Sequence, residues 1–519
     1  MTSRLPGAPS DLRKRFSRTV AVLLFALLPL TLVAQQAATP QAPAKPAAPQ
    51  SWADKILNQE TYATPPPELA PAVLAPRWQN VTLSNLSPDK KWFLNQIGDG
   101  PVPMSTFSKP FDELGGVFID YKANRARTLT INNNAAVQVV SAADGTKKPV
   151  AIPPNARITG ATWVPDSSGV AYFAHTDDAT HIWITDLATN KPRQITPKPV
   201  LATLCTSFEF TKDGKQIAAV LIPDNRPPRP GQPLAPAGPE VKVSEEKDKN
   251  RLRTFPSLMS AQYEFQLLEW HATGQLTLID VPPPLPAGKT ARPSPAKGGK
   301  GGQTPGVKKI GQPAMIRSID LSPDGKYVRA TRMTKPFSYI VPVGNFGSIE
   351  EVWDGEGKAL AKISERPLNL GVQDDTQPPP DPTQPAAGGG RGGAQEQGKR
   401  EVAWREDGQG LTYLEQEPAP PGEAAAGGGR AGRGAGRGTA AAGDQAGGQD
   451  RGQAAQRKDR LFQWLPPFDE KGPKVIFENN TRMSNHRFSP DMQILFFRET
   501  SGQNTIEYAV YLNAPTERY

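Results

Sequence analysis

The stretch IDLSPDGKYVRATRM, residues 319–333, places two runs of alternating apolar and polar residues around a Ser-Pro-Asp-Gly core. Proline presets the residue before it, and aspartate and glycine at a short turn tolerate the left-handed backbone that a hairpin needs. β-Branched and aromatic residues on either side suit half-buried pleated strands. The stretch therefore reads as a β-hairpin. Its pattern recurs at NLSPDKKWFLN (85–95), TWVPDSSGVAYFAH (162–175), FEFTKDGKQIAAVLI (208–222), VAWREDGQGLTYLEQ (402–416) and HRFSPDMQILFFRE (486–499). The turn aspartates are Asp89, Asp166, Asp213, Asp324, Asp407 and Asp491. Six copies of one hairpin signal a repeat architecture.

A second hairpin follows most copies: residues 137–153, 181–196, 350–364 and 460–477, with a single strand at 274–280. Two hairpins make four antiparallel strands, the content of one propeller blade. Asp166 and Asp213 lie 47 residues apart, close to one blade's length. The wider spacings elsewhere require insertions, and Pro-, Gly-, Ala- and Lys-rich stretches occupy most of them, at 224–250, 281–308, 372–398 and 418–457. Such compositions bury too little apolar surface to order themselves. The expectation is an all-β chain, a β-propeller of six to seven four-stranded blades over residues 76–519, with disordered loop insertions. Residues 253–270 could carry one short helix. After Glu499 one more strand fits, at 505–515, so the last blade reads as incomplete.

Composition agrees with a folded repeat interrupted by tails. Of 519 residues only 37% are hydrophobic, with 56 Pro and 47 Gly. The net charge of +9 could point to nucleic acid. However, residues 1–18 contribute +4 and residues 287–309 contribute +6, so the remainder is nearly neutral. The basic start, an apolar run at 19–34 (TVAVLLFALLPLTLVA) and the Ala/Pro/Gln-rich stretch that follows read as an export signal over residues 1–34 and a tether over 35–75. The apolar run is short for a membrane span, which takes about 20 residues. A periplasmic or secreted protein with no stable membrane span after signal cleavage is expected. Cys205 is the single cysteine, so no intramolecular disulfide is possible.

The chemistry of a hydrolase is not visible. No G-x-S-x-G nucleophile elbow occurs. Ser-x-x-Lys pairs at Ser87/Lys90, Ser244/Lys247 and Ser294/Lys297 fall in a blade turn and in two insertions. His175, His181, His271 and His486 lack metal-site spacing. His175 and His181 with Asp177 and Asp178 read as a solvated turn. Catalytic residues, metal and cofactor are all expected to be absent. The Gly/Arg tracts at 388–394 and 427–438 resemble RNA-binding segments, but they lack stacking aromatics and conflict with the export signal, so no nucleic-acid partner is expected.

Between about residues 110 and 500 the chain resembles the propeller of the prolyl oligopeptidase family, in its glutamyl endopeptidase-like branch. The most specific match is KPFSYIVPVGNFGSIEEVWDGEGKAL (335–360), with Lys335 where that branch carries arginine. RTFPSLMSAQYEFQLLEWHATGQLTLID (253–280) and GQPAMIRSIDLSPDGKYV (311–328) match in the same order. The resemblance implies seven blades in a complete member and a propeller capping an α/β-hydrolase domain whose Ser, Asp and His perform acyl transfer. None of those three residues can be carried over to this sequence. It further implies a non-catalytic, substrate-gating portion of an exported serine peptidase, truncated before the hydrolase, whose partners are a peptide substrate or the missing domain. Arg332, Lys335 and Tyr339 are the candidate channel or interdomain residues, the alternative being that they pack and cap a blade edge; Phe337 reads as core. The alternative is a freestanding periplasmic propeller that binds a protein or ligand.

Overall fold

Each Asp-turn hairpin opens a separate antiparallel sheet, as its first two strands in blades 2 to 6 and as a single bridge from Leu86 to Phe93 in blade 1. The computed structural model describes residues 66–69, 83–98, 104–131, 136–233, 255, 257–283, 306–370, 398–418, 457–501 and 504–519. The chain divides into two units, Met1–Ala63 and Thr64–Tyr519. The first unit, and with it the expected signal peptide, lies outside the described residues, as do residues 234–250, 284–305, 372–397 and 419–456 of the expected insertions.

Blade 1 starts with β1 (Trp92–Ile97). Helix α1 (Met104–Phe107) and a small sheet of β2 (Asp112–Leu114), β3 (Val117–Asp120) and β4 (Arg125–Ala126) follow, then helix α2 (Thr128–Ile131). The blade resumes with β5 (Ala136–Ser141) and β6 (Lys147–Val150), in the order β1-β5-β6. Blade 2 is β7 (Arg157–Trp163), β8 (Gly169–His175), β9 (Thr180–Asp186) and β10 (Lys191–Gln194). Blade 3 has β11 (Glu209–Phe210) and β12 (Gln216–Leu221), then helix α3 (Gln262–Ala272), then β13 (Gln275–Asp280) and β14 (Val307–Lys309). Blade 4 is β15 (Ile316–Leu321), β16 (Tyr327–Met333), β17 (Ser348–Asp354) and β18 (Ala359–Arg366). Blade 5 is β19 (Arg400–Trp404), β20 (Leu411–Gln416), β21 (Asp459–Trp464) and β22 (Lys474–Asn479). Blade 6 is β23 (Met483–Phe488), β24 (Ile494–Ser501) and β25 (Asn504–Tyr511).

Blades 2 to 5 each run as four strands paired in sequence order. Beside β25 the chain turns back, and Ala509 and Tyr519 exchange backbone hydrogen bonds at 3.0 Å. The insertion expected through residue 308 is shorter, because β14 pairs Thr277 with Lys309 and Ile279 with Val307. Its residues are all exposed, which is why no apolar alternation marks this strand. The insertion expected from residue 224 also opens with a described stretch, 224–233, laid along α3. The small sheet β2–β4 carries no Asp-turn repeat.

Along strands such as β8 and β12 the period of two supplies two faces, and both are buried. On β8, Ala171 and Phe173 enter the core shared with blade 3, whereas Val170, Tyr172 and Ala174 enter the core shared with blade 1. On β12, Ile217, Ala219 and Leu221 face blade 2, and Ala218 and Val220 face blade 4. Val352 and Tyr413 join blades 4 and 5, and Leu414 and Phe497 join blades 5 and 6. Successive blades thus bury one another's faces. A fully buried aromatic such as Phe173 contributes on the order of 1.5–3 kcal/mol.

Candidate functional site

The six turn aspartates share one geometry, and the turns of blades 1 to 5 lie against one another. Each carboxylate accepts the backbone N–H two residues on, at 3.2 Å (Lys91), 2.8 Å (Ser168), 3.0 Å (Lys215), 3.2 Å (Lys326), 3.0 Å (Gln409) and 3.2 Å (Gln493). The residue after each aspartate is left-handed: Lys90, Ser167 and Met492 near 60°, and Gly214, Gly325 and Gly408 near 70°. This geometry explains why glycine recurs there. A hydroxyl two residues earlier also bonds the carboxylates of Asp89, Asp213 and Asp491 and holds them below the usual carboxylate range. These aspartates therefore spend their oxygens on their own turns.

Neighbouring turns interlock. The Asp89 N–H donates to Ser167 Oγ at 3.0 Å, and the Lys212 N–H donates to the Pro323 carbonyl at 3.0 Å. Lys212 Nζ reaches the Glu406 carbonyl at 2.8 Å, tying blade 3 to blade 5. Between the turns of blades 2, 3 and 4 lies an open cavity of about 990 Å³, bordered by Asp166, Arg193, Lys212, Asp213, Asp280 and Asp324.

Close by, at the start of β11, Glu209 is half-buried. Burial, reinforced by the charge of Asp320 on the next blade, pushes its carboxyl up to about 7. Burial also raises Asp320, although Arg329 Nη2 at 2.6 Å opposes it. Because the folded-state pKa of Glu209 lies above its unfolded value, the stability it contributes is present below pH 4.5 and is lost as pH rises through about 7. Glu209→Gln is expected to stabilise the chain by about 1–2 kcal/mol at pH 8, after discounting for solvent screening, and to change little at pH 4. Urea midpoints at the two pH values check this; equal midpoints for wild type and variant at pH 8 would refute it.

The block containing the sequence candidates joins blade 4 to α3. Arg332 Nε contacts Glu351 at 3.0 Å, and Trp353 Nε1 donates to the same carboxylate at 3.1 Å. Burial pushes Glu351 up, but these two donors outweigh it and hold the carboxyl below its ordinary value. Lys335 pairs with Glu269 of α3 at 2.8 Å, an exposed contact worth about 0–1 kcal/mol. Tyr339 stacks on Phe265 of α3 with ring centroids 4.2 Å apart. Phe337, read as core, is half-buried between Phe265 and Phe346, at 5.6 and 5.3 Å. Arg332, Lys335 and Tyr339 thus follow one another along this block, each with a partner inside the chain, and Lys335 keeps an exposed ammonium.

The histidines sit in separate surroundings. Asp177 and Asp178 occupy an exposed turn, Asp177 pairing with Lys109 at 2.6 Å. His175 departs from the solvated-turn expectation: β8 runs through it, so its ring is buried between Thr159 and Thr180 at 2.7 and 3.0 Å. His181 bonds Thr196 at 3.0 Å, and His486 lies 3.3 Å from Glu401. His271 Nε2 lies 2.8 Å from Asp112, a pairing across 159 residues that no sequence spacing could reveal. Among the described residues no group of three or more His, Cys, Asp or Glu side chains could hold a metal ion.

Six successive antiparallel sheets, each built on an Asp-turn hairpin and packed face to face on the next, define a β-propeller. No family model matches the chain. Over 364 residues it is 27% identical to "Probable glutamyl endopeptidase, chloroplastic" of Oryza sativa subsp. japonica, covering 68% of this chain and 34% of that protein. Over 326 residues it is 26% identical to the protein of the same description from Arabidopsis thaliana, covering 61% and 31%. Among solved structures it is similar to an oligogalacturonate lyase in complex with manganese, with 9% identity, a TM-score of 0.36, and coverage of 84% and 74%. The chain is thus similar in sequence to glutamyl endopeptidase-like proteins, the branch that the Pro-Phe-Ser-Tyr block resembles, and it spans about a third of the length of the curated relatives it matches.

Proposed function

We propose that this chain is the non-catalytic, substrate-gating propeller of an exported serine peptidase, contributing to proteolysis only together with an α/β-hydrolase domain. The similarity to glutamyl endopeptidase-like proteins over 364 residues carries the reading. The rim of interlocked turns adds a physical reason. Turns whose aspartates are satisfied internally form a stiff border, and a stiff border can restrict entry to extended or unfolded peptides. Lys335, with its exposed ammonium, would meet an acidic peptide side chain or the hydrolase domain.

The test pairs sequence with chemistry. Reading the codons after Tyr519 in all frames should reveal a G-x-S-x-G elbow followed by Asp and His. The purified chain should leave a Glu-containing fluorogenic peptide intact and resist a serine-directed fluorophosphonate, while the joined protein cleaves the peptide and is labelled. Cleavage by the chain alone overturns the non-catalytic role. An inactive joined protein, or no hydrolase to join, overturns the peptidase role. Export predicts a mature N-terminus near residue 35 in a secreted or periplasmic fraction, read by N-terminal sequencing.

A further inference from the structure

Residues 224–233, DNRPPRPGQP, cross α3 and the small sheet β2–β4 as a strap. The sequence sets their conformation. Pro227, Pro228 and Pro230 fix φ near that of polyproline II, and each disfavours a helical backbone in the residue before it. An extended proline run keeps its carbonyls free for outside donors, and here those donors exist. Trp270 Nε1 donates to the Pro227 carbonyl at 2.7 Å, and the Tyr263 hydroxyl donates to the Pro230 carbonyl at 3.3 Å.

The two arginines complete the grip. Arg226 lies 3.4 Å above the Trp270 ring, and its Nη atoms reach Asn124 Oδ1 at 2.6 Å and the Trp270 carbonyl at 2.7 Å. Arg229 Nη2 meets both oxygens of Asp112 at 2.7 and 2.9 Å, with its guanidinium 4.8 Å from the Tyr121 ring centroid. His271 holds Asp112 from the other side at 2.8 Å. Aromatic side chains whose N–H or O–H read proline carbonyls, beside a carboxylate that reads arginine, form a recognition mode for proline-rich peptides. Yet Pro227, Pro228 and Arg229 are exposed, so the strap lies on the surface and can leave without opening a core.

We propose that the ledge of Asp112, Tyr121, Tyr263 and Trp270 is a binding site for an extended Arg- and Pro-rich segment of a partner polypeptide, with residues 226–230 as its built-in occupant. The partner displaces the strap by presenting the same carbonyls and guanidinium groups. The inference does not depend on the peptidase reading, because the ledge is built from α3 and β2–β4 and not from the turn rim.

The probe is a fluorescein-labelled DNRPPRPGQP peptide titrated by anisotropy into the full chain. With residues 226–230 replaced by Gly-Ser-Gly-Ser-Gly, the chain is expected to bind it at least tenfold more tightly than wild type does. Adding Trp270→Ala or Asp112→Asn to that background should each weaken binding at least tenfold. Should the replacement fail to fold, Arg226→Ala/Arg229→Ala releases the strap while keeping its prolines, and the same ranking is expected. Equal affinity in wild type and the strap-released form overturns the proposal, as does binding indifferent to Trp270 and Asp112 or equal binding of a scrambled peptide.

Discussion

Asp459→Ala is expected to lower the unfolding free energy by about 3–5 kcal/mol, the typical cost of breaking a buried ion pair from one side. Asp459 opens β21 and is fully buried. Arg400 Nη2, from β19 of the same blade, lies 2.5 and 2.6 Å from its two oxygens. The Met483 N–H, at the start of β23 in blade 6, donates to Oδ2 at 2.7 Å. One carboxylate therefore neutralises a nearly buried guanidinium and satisfies a backbone donor of the next blade. Alanine strands both in the interior, where an unmet donor costs about 1–3 kcal/mol and an unmet charge more. Urea unfolding followed by tryptophan fluorescence measures the loss. Arg400→Met/Asp459→Leu should recover the part due to the stranded guanidinium, because an apolar pair leaves no unmet charge, while the Met483 N–H stays unmet. A loss below 1 kcal/mol in the single variant would show that water or rearrangement reaches the site, and the carboxylate would then not be the clamp between blades 5 and 6.

The features that sequence predicts well here are those set by neighbouring residues. Each Asp-turn depends on a carboxylate and an N–H two residues apart, so six hairpins and most of their outer partners could be read locally. A short helix was expected within 253–270, and α3 forms at Gln262–Ala272. Long-range pairings were not legible. Strand β14 offers Lys308 and Lys309 to solvent and resembles linker composition until β13 supplies its partner. The small sheet β2–β4 has strands of two to four residues, too short to establish a period. The strap falls within a proline-rich stretch whose composition promises little burial, and its order comes from Trp270, Tyr263 and Asp112, side chains contributed from well beyond the strap itself. Arg332, Lys335 and Tyr339 were selected by resemblance, and the partners that fix them, Glu351, Glu269 and Phe265, come from β17 and α3. The histidines repeat the lesson, since a turn motif suggested solvent for His175 where strand phase dictated burial.

That burial gives the second large effect, which depends on acid. His175 Nε2 lies 2.7 Å from Thr159 Oγ1 and Nδ1 lies 3.0 Å from Thr180 Oγ1. A neutral ring donates through one nitrogen and accepts through the other, and two hydroxyls can serve either assignment. The site is therefore satisfied without charge. Protonation would place a cation in the core, and burial, together with the charges of Arg125 and Arg157, pushes the imidazole down to about 3. The unfolded chain protonates near 6.5, so folding excludes a proton throughout the interval between the two values. Stability contributed by His175 is intact above about pH 6.5 and falls as pH drops, by roughly 3 kcal/mol at pH 4 at 1.36 kcal/mol per unit. His175→Gln keeps a donor and an acceptor between the two threonines but cannot take the proton. The variant is expected to be weaker than wild type at pH 7.5 by about 1–2 kcal/mol, from imperfect fit. It should lose about 3 kcal/mol less than wild type on going from pH 7.5 to pH 4. His181 and His271, also depressed by burial, titrate in both proteins and cancel in the comparison. Parallel urea titrations at the two pH values give the difference directly. If both proteins lose the same amount, His175 takes up its proton in the folded state at an ordinary pH, and the buried pocket between Thr159 and Thr180 must admit water.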